Sequence, residues 1–382
     1  MHPLGDSSPG QVSLRELAAV FLKLGTTAFG GPAAHIAMME QEFVRRRAWL
    51  STSEFLDRLA AANLLPGPSS TEVAILVGYR KRGWMGLVVA GFCFILPAAI
   101  LVGLIAAAYV RFGSLPQLQG VLYAIKPVVV AIIVQALWNL GRTAIKNRIL
   151  LLVGAGSTVL SLCAVNPMLV LVLAGTVAGM VLWRTRNPPA LFSLAGLTVP
   201  GTVAGSSGTI GLARLFLSFL KIGSVVFGSG YVLLAFLRTE FIDHLHWLTE
   251  KQLLDAVAVG QFTPGPLFTT ATFIGYILAG IPGAAVATLG IFLPGFVLVA
   301  VSGPLVPKIR RSPTAGAVLD GVVAGSLALM GVVTWQLGRA AISDWLTLLL
   351  AVASVVILLR FRVNAAWLIG AAAVLGIVVR SQ

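Results

Sequence analysis

The chain contains two copies of one sequence pattern. Residues 21–68 and 219–266 align without a gap, and 17 of their 48 paired positions are identical. In so apolar a composition unrelated segments would share about four identities, so the two segments are an internal duplication. Each copy opens with FLK-[LI]-G, continues through a Phe-Gly pair and a Trp-Leu pair, and ends with Pro-Gly-Pro. The chain is therefore expected to fold as two related halves.

The composition places both halves in a membrane. Hydrophobic residues make up 58% of the 382 positions and charged residues only 10%, whereas a soluble domain carries about 25% charged residues. Because such a small number of charged residues cannot cover a globular surface, we predict a polytopic protein whose solvent is the lipid bilayer. The net charge of +14 is divided among short basic clusters between apolar runs. That distribution is typical of topology-setting loops and excludes a nucleic-acid partner.

Apolar runs recur in the same order in both halves. A membrane span needs about 20 apolar residues. Runs near this length lie at 84–109, 118–140, 149–164 and 167–183, and again at 283–304, 317–338, 345–360 and 364–380. The first helix of each half, 13–38 or 211–236, is interrupted by its Phe-Gly motif. The pieces flanking each Pro-Gly-Pro are too short to span, so they predict a re-entrant helical hairpin that is buried in protein or lines a cavity.

The distribution of basic residues predicts that the second half is inverted. The loops flanking the first hairpin contain Arg45, Arg46, Arg47, Arg80, Lys81 and Arg82. The equivalent loops of the second half contain Asp243, His244 and His246, then almost no charge. The positive-inside rule places the first pair of loops in the cytoplasm and the second pair outside. Five spans plus one hairpin per half invert the second copy, which gives an all-α fold of about 10 to 12 membrane segments.

The two copies also define the predicted domains. The N-terminal repeat covers residues 1–183, a linker covers 184–210, and the C-terminal inverted repeat covers 211–382.

The Pro-Gly-Pro triplets, at 66–68 and 264–266, are the strongest candidates for a binding site. Proline cannot donate to a helix and glycine tolerates unusual dihedral angles, so the triplet ends one helix and starts another. The restarted helix presents free N–H groups and the positive end of its dipole, which suits an anion. A tight turn between packed helices is the alternative for one triplet. Two triplets in an inverted pair favour a transport site.

Other motifs have both a structural and a functional interpretation. The interruptions Phe29-Gly30-Gly31-Pro32 and Phe227-Gly228-Ser229-Gly230 are either close-packing surfaces or unwound segments facing the triplets. Lys23 and Lys221 either extend to the membrane interface or point inward as countercharges. For the recurring acids, capping or pairing with arginines near the membrane boundary is the favoured role; these are Glu42, Glu240, Asp57 and Asp255. Arg142 and Arg339 are interpreted as interface anchors.

Glu72 has no acidic counterpart in the second half, where Thr270 takes its place. A carboxylate beside an anion site repels the anion when ionised and admits it when protonated. Glu72 is therefore the candidate that couples proton and anion movement. The predicted substrate-binding residues are Lys23, Gly30, Gly31, Pro66, Gly67, Pro68, Ser69, Ser70, Thr71, Lys221, Gly228, Ser229, Pro264, Gly265, Pro266 and Thr269.

These motifs resemble the chromate ion transporter family in its long, two-domain form. The resemblance rests on FLKLGTTAFGGP and LLPGPSS in the first copy and on FLKIGSVVFGSG and FTPGP in the second. It implies a multi-pass protein of the bacterial inner membrane that exports chromate, driven by the membrane potential or the proton gradient, and confers chromate resistance. The second copy departs from the first at Ser229, Gly230, Leu267 and Phe268. We therefore expect one central site, to which the first copy supplies most polar contacts.

Several other functions are weighed against export. A permease for uptake of sulfate or other oxyanions is the nearest alternative, and a non-transporting scaffold and a channel are two more. No flavin, nicotinamide or nucleotide fingerprint and no paired thiol is present, so an enzyme is not predicted, and neither a cofactor nor a metal is expected. A homodimer is left open.

Overall fold

A computed structural model of the protein describes residues 12–29, 31–63, 65–113, 115–186, 211–227, 230–302, 313–361 and 363–380. Within these ranges all regular secondary structure is helical. The helices of the first half are α1 (Leu14–Thr27), α2 (Gly31–Glu40), α3 (Thr52–Ala62), α4 (Ser69–Phe112), α5 (Pro116–Ala144), α6 (Arg148–Leu162) and α7 (Pro167–Arg186). The helices of the second half are α8 (Leu212–Val225), α9 (Leu233–Arg238), α10 (Glu250–Phe262), α11 (Thr270–Ser302), α12 (Pro313–Ala341), α13 (Trp345–Phe361) and α14 (Ala365–Arg380).

The first helix of each half is broken where the sequence predicts. In the first half α1 ends at Thr27 and α2 begins at Gly31. In the second half α8 ends at Val225, and a single 3-10 turn over Gly230–Val232 leads into α9. Both broken helices continue into one turn of π-helix, over Gln41–Arg46 and Thr239–His244. The repeat therefore extends to local helix geometry that the sequence pattern does not show.

Helices α4 and α11 are folded back on themselves. The backbone leaves helical geometry at Arg82 and Gly83, and at Ala279 and Gly280. A methyl group at Gly78 would lie 2.5 Å from the Cβ of Ala90, although twelve residues span about 18 Å along a straight helix. Each of the two helices is therefore a short arm and a long arm joined by a glycine turn. This confirms the predicted short apolar piece after each Pro-Gly-Pro.

Apolar segments that could cross a membrane are present in both halves. Within the described residues, four helical segments qualify by length and composition: Ser69–Phe112, Leu118–Ala144, Leu267–Val301 and Thr314–Ala341. Shorter apolar helices cover Arg148–Leu162, Pro167–Val181, Trp345–Phe361 and Ala365–Val378. They coincide with the predicted apolar runs, so a multi-pass membrane protein is confirmed. The exact number of spans stays a prediction.

The two halves are interlocked. Within each half, the first helix packs on the folded helix that follows Pro-Gly-Pro, α1 on α4 and α8 on α11. The last two helices of each half instead pack on the other half: α6 and α7 lie against α12, and α13 and α14 lie against α5. Helices α4 and α11 also contact each other. Neither half therefore buries its own helices completely.

Polar contacts between α5 and α12 define how the halves are related. The Lys146 Nζ atom, beyond the end of α5, lies 2.8 Å from Asp320 Oδ1 near the start of α12. Tyr123, near the start of α5, donates a hydrogen bond to Asp344, beyond the end of α12. This hydrogen bond lowers the pKa of the Asp344 carboxyl, which favours its ionised form. Since α5 and α12 are equivalent in the repeat and run antiparallel, the two halves are inverted, as the sequence predicts.

Candidate functional site: crossed helix breaks

Each Pro-Gly-Pro tip is hydrogen-bonded to the helix break of the opposite half. The Gly67 N–H donates to the carbonyl of Val226 at 2.7 Å, and the Gly265 N–H donates to the carbonyl of Ala28 at 2.9 Å. Ala28 and Val226 are the extended residues that end α1 and α8. All four positions are paired by the repeat, so the contacts are related by a two-fold axis between the halves. The two kinds of predicted interruption therefore meet, with each tip facing a break.

The glycine of each tip is required by its backbone conformation. Gly67 has a φ of +135° and Gly265 has a φ of +92°. Residues other than glycine rarely adopt this backbone conformation. Space is restricted as well, because a methyl group at Gly265 would lie 2.6 Å from the Cβ of Ala98. At Gly67 a methyl group would collide with the carboxyl of Glu72. The tips are thus tightly packed turns that leave no room for a side chain.

The helix that follows the first tip starts with a buried polar turn. Pro68 is its N-cap residue, and its carbonyl accepts hydrogen bonds from the N–H groups of Thr71 and Glu72, at 2.8 and 3.1 Å. Ser69, Ser70 and Thr71 are all at most 5% exposed. Hydroxyl groups and the positive end of the α4 dipole are therefore concentrated beside the Gly67 turn.

A histidine that the sequence analysis did not select completes this polar turn. His35 of α2 is 1% exposed, and its Nδ1 atom lies 3.3 Å from Ser70 Oγ. Its ring packs edge-on against Phe94 with centroids 5.9 Å apart. His35 Nε2 and Thr71 Oγ1 are buried without a hydrogen-bond partner among the described residues. Buried polar atoms are usually satisfied, so these two are available to a ligand.

Glu72 is the ionisable side chain of the site that is buried without a described partner. Its side chain is completely buried, and neither carboxyl oxygen has a hydrogen-bond partner in the described part of the chain. The carboxyl lies against Gly67 and within 4.0 Å of where a methyl group on Gly295 would be. Burying an ionised carboxylate without a partner is costly. Protonation of Glu72 would therefore remove a buried charge that no described side chain compensates.

The second tip is polar in a different way. Its helix restarts through one 3-10 turn, Leu267–Thr269, before α11 begins. The Thr269 hydroxyl donates to the carbonyl of Pro266 at 2.9 Å, and the Thr270 hydroxyl donates to that of Leu267 at 2.8 Å. These hydroxyls are satisfied by their own backbone. Most of the described donors and acceptors that lack a partner near the tips therefore belong to the first copy, and Gln261 Nε2, at the end of α10, is one that belongs to the second.

Lys23 and Lys221 lie outside this buried cluster. Lys23 Nζ is 3.9 Å from Glu42 and Lys221 Nζ is 2.7 Å from Glu240, and the lysine side chains are 54% and 45% exposed. Glu42 also pairs with two arginines of its own loop, Arg46 at 3.3 Å and Arg47 at 2.8 Å. The arginine pairing proposed for Glu42 is therefore present. The lysines sit at the edge of the protein, with glutamates as their partners.

The role predicted for Asp255, capping or pairing with neighbouring arginines, is wrong. Its side chain is completely buried in α10, where Lys126 Nζ lies 3.1 Å from Oδ1 and the Tyr109 hydroxyl donates to Oδ2 at 2.9 Å. Both partners belong to the first half. Its counterpart Asp57 is exposed; α10 packs on α4 and α5 of the opposite half, whereas α3 packs mainly on α4 of its own half. The sequence signal for this cluster was Lys126 itself, a lysine within an apolar run of spanning length.

Among the remaining predicted positions, the described ones lie at a helix break or at a tip. Gly31 begins α2 with a φ of +79°, and Pro66 forms an isolated bridge with Phe227 of the other half. Gly30, Gly228 and Ser229 lie outside the described residues. Of the two proposed interface anchors, Arg142 stacks over the exposed Trp138 ring, 6.0 Å from its centroid.

A family model described as "Chromate transporter" matches residues 15–180 and residues 213–377, once in each half. The chain belongs to the chromate transporter family. It is therefore a transporter and not an enzyme. This family assignment agrees with the resemblance carried by the repeated tip and break motifs.

Named relatives cover the chain almost from end to end. The chain is 34% identical over 380 residues to a chromate transport protein of Cupriavidus metallidurans, covering 96% of this chain and 93% of the relative. It is 33% identical over 358 residues to a probable chromate transport protein of Synechococcus elongatus, covering 90% and 89%. An uncharacterised transporter of Bacillus subtilis, YwrA, is 33% identical over 130 residues, which are 34% of this chain and 73% of the relative. No solved structure matches the chain.

Proposed function

We propose that this member of the chromate transporter family exports chromate across the bacterial inner membrane and thereby confers chromate resistance. The observation that carries the proposal is the reciprocal pair of hydrogen bonds from Gly67 to Val226 and from Gly265 to Ala28. Paired helix breaks at the interface of inverted repeats are where secondary transporters bind their substrates.

The chemistry of the first tip suits a tetrahedral oxyanion. The start of α4 supplies the positive end of a helix dipole. Ser70, Thr71 and His35 supply buried hydrogen-bonding groups, of which Thr71 Oγ1 and His35 Nε2 have no partner among the described residues. An oxyanion with four oxygens can accept several such bonds at once. The threonine hydroxyls of the second tip already donate to backbone carbonyls, so this tip contributes the shape of its turn and its backbone groups to the anion site.

The inverted halves provide a route from one side of the membrane to the other. When one Pro-Gly-Pro tip moves away from the break that it faces, that tip-to-break contact opens while its partner stays closed. The anion held between the tips is then exposed to the cytoplasm in one state and to the outside in the other. The interlocked packing of α6 and α7 on α12, and of α13 and α14 on α5, supplies the rigid frame for this motion.

The membrane potential favours export. Moving one charge through 100 mV changes the free energy by about 2.3 kcal/mol. A dianion that leaves an inside-negative cell therefore releases about twice that amount of free energy. Glu72 adds a second control, because its ionised form repels a dianion from the same turn and its protonated form admits it. Chromate export is therefore driven by the potential and gated by a proton at Glu72.

The direct test is chromate accumulation in a chromate-sensitive bacterium. Cells expressing the protein are expected to hold less chromate than cells with an empty vector. A Pro66→Ala/Gly67→Ala variant that reaches the membrane at the same level is expected to lose the difference. The potential is tested in everted vesicles, where collapse of an inside-positive potential should slow chromate entry. Higher accumulation that sulfate suppresses would identify an uptake permease and contradict the proposal.

A further inference from the structure

A second polar site lies away from the crossed breaks, at one end of the molecule. A cavity of about 190 Å³ opens where the ends of α4 and α12 meet the starts of α5 and α10. One water needs only about 15 Å³, so the cavity has room for a small hydrated ion. Its polar lining includes Tyr109, Gln119, Tyr123, Lys126, Lys251 and Ser343.

The charges of this cavity favour an anion. Lys126 and Lys251 both line it, and Asp255, which pairs with Lys126 at 3.1 Å, lies completely buried behind it. Asp344 is also close, since it accepts hydrogen bonds from Tyr123 and Ser343 of the lining, but the charged side chains in the described lining itself are the two lysines. The lysine ammonium groups supply N–H donors to a bound oxyanion, whereas the Tyr109 and Tyr123 hydroxyls donate to Asp255 and Asp344.

The Lys126–Asp255 pair keeps this charge in place when no anion is bound. The Lys126 side chain is only 11% exposed, and an isolated buried ammonium group would be costly. Asp255 also accepts a hydrogen bond from the Tyr109 hydroxyl at 2.9 Å, so it retains a donor when Lys126 turns toward the cavity. A dianion that enters can therefore take over Lys126 without leaving Asp255 unpartnered.

The cavity lies on one face of the pseudo-symmetric molecule. Val323 occupies the position in α12 that Lys126 occupies in α5, and Asp57, the counterpart of Asp255, is exposed. The loops at the cavity, after α4, before α10 and after α12, are those that the positive-inside rule places outside the cell. The repeat alone would give both faces the same chemistry, so this difference distinguishes the exit face from the entry face.

We propose that this cavity is an exit-side binding site for a tetrahedral dianionic oxyanion, in which the anion displaces Asp255 as the partner of Lys126. The proposal rests on the proposed export function for the identity of the anion, chromate, and for its direction. Chromate leaving the crossed breaks is held by Lys126 and Lys251, and is released when Asp255 recovers Lys126. Asp255 is thus a competitor that prevents the exit site from retaining the anion.

A local thiol reporter tests the site without requiring transport. Ser343→Cys is placed in a Cys93→Ser/Cys163→Ser background, and its labelling by a membrane-impermeant maleimide is followed in intact spheroplasts. Sulfate is the probe, since it is a tetrahedral dianion that does not oxidise thiols, and chloride at equal ionic strength is the reference. Sulfate is expected to slow labelling at least fivefold. Labelling from the cytoplasmic side only, or no protection by sulfate, would overturn the proposal.

Variants of the ion pair separate a ligand from a structural partner. Lys126→Gln is expected to raise the sulfate concentration for half-protection at least tenfold, whereas Asp255→Asn is expected to lower it. A structural pair would weaken protection equally in both variants, which would overturn the proposal. Lys146→Gln, which removes an exposed ion pair outside the cavity, is the matched control. If Lys126→Gln fails to fold, Lys251→Gln serves instead, since Lys251 has no ion-pair partner among the described residues.

Failure of this site and failure of the proposed function are distinguishable. Lys126-dependent protection in a protein that does not lower chromate accumulation would retain the site and reject export. If the protein exports chromate but sulfate protects the reporter equally well in Lys126→Gln and Lys251→Gln, the function is retained and the site is rejected.

Discussion

At the scale of single residues, the crossed breaks depend on backbone shape more than on side chains. Gly67 and Gly265 make the only described hydrogen bonds from the Pro-Gly-Pro tips to the opposite half, and both have positive φ values. Most of the described polar atoms that lack partners near the tips, on Thr71, Glu72 and His35, lie beside the first tip, whereas the second has Gln261 Nε2. A symmetric backbone therefore carries an asymmetric set of polar groups.

Alanine at either tip glycine should stop transport. Gly67→Ala and Gly265→Ala each force a side chain into a conformation that costs about 1–3 kcal/mol and into space already filled by Glu72 or Ala98. Chromate export is expected to fall below a tenth of the wild-type rate at equal membrane levels. Gly103→Ala, where a methyl group meets nothing within 4 Å, is the matched control and should retain export. Export by the tip variants at the control rate would show that the tips lie outside the transport path.

Removing the charge of Glu72 should remove the pH dependence of export. In everted vesicles the wild-type rate is expected to rise as the pH falls, within the range in which chromate stays a dianion, because protonation of Glu72 admits the anion. Glu72→Gln mimics the protonated form and should transport at a constant rate over that range. Glu40→Gln, an exposed carboxylate paired with Arg45, should keep the wild-type profile. An unchanged pH profile in Glu72→Gln would exclude Glu72 as the coupling residue.

At the scale of helices, both re-entrant hairpins begin with a capping box. Ser51 and Glu54 form a reciprocal capping box at the start of α3, and Thr249 and Gln252 form one at the equivalent start of α10. Both boxes satisfy N–H groups that the first turn of a helix leaves unpaired. They hold the outer end of each hairpin, while the Pro-Gly-Pro tip ends it inside the protein.

Loss of a capping box should loosen the hairpin that it starts. Thr249→Ala is expected to reduce the free energy of unfolding by about 1 kcal/mol, measured by denaturant titration in mixed micelles. Thr249→Ser keeps the hydroxyl and should restore most of that stability. Equal destabilisation by serine and alanine would mean that packing of the threonine methyl group, and not the cap, stabilises α10.

At the scale of the whole molecule, the halves are mutually dependent. The closing helices α6 and α7 pack on α12, and α13 and α14 pack on α5. The antiparallel α5 and α12 are connected by Lys146–Asp320 at one end and Tyr123–Asp344 at the other. Each half therefore presents to its partner the surface that it cannot bury alone.

Cutting the chain between the halves should not separate them. Fragments 1–190 and 205–382, coexpressed as two chains, are expected to copurify through one affinity tag and to lower chromate accumulation. Fragment 1–190 expressed alone should be degraded or aggregated, because α5, α6 and α7 would lose the partners they have in the second half. Copurification at the level of an unrelated membrane protein would contradict the interlocked arrangement.

Much of this architecture could be predicted from the sequence because its causes are local. Apolar run lengths, Pro-Gly-Pro and the Phe-Gly interruptions determine where helices begin, end and break, and the structure confirms those positions in both halves. The basic clusters indicated the inversion, which the antiparallel α5 and α12 confirm. The capping boxes were also readable, since Ser51 with Glu54 and Thr249 with Gln252 have the spacing of that motif.

The sequence by itself determined the class of the protein, its duplication, its helix breaks and its family, since each depends on composition or on residues close together in the chain. Only the tertiary structure decided which breaks meet, that His35 joins the first tip, and that Asp255 is buried against Lys126 and Tyr109 while Asp57 is exposed. Those contacts join residues that are far apart in the chain, as in Gly67 with Val226, Gly265 with Ala28 and Asp255 with Lys126. Periodicity and propensity describe a helix surface, but which surfaces meet is fixed by packing between the halves, and that packing is a property of the folded chain.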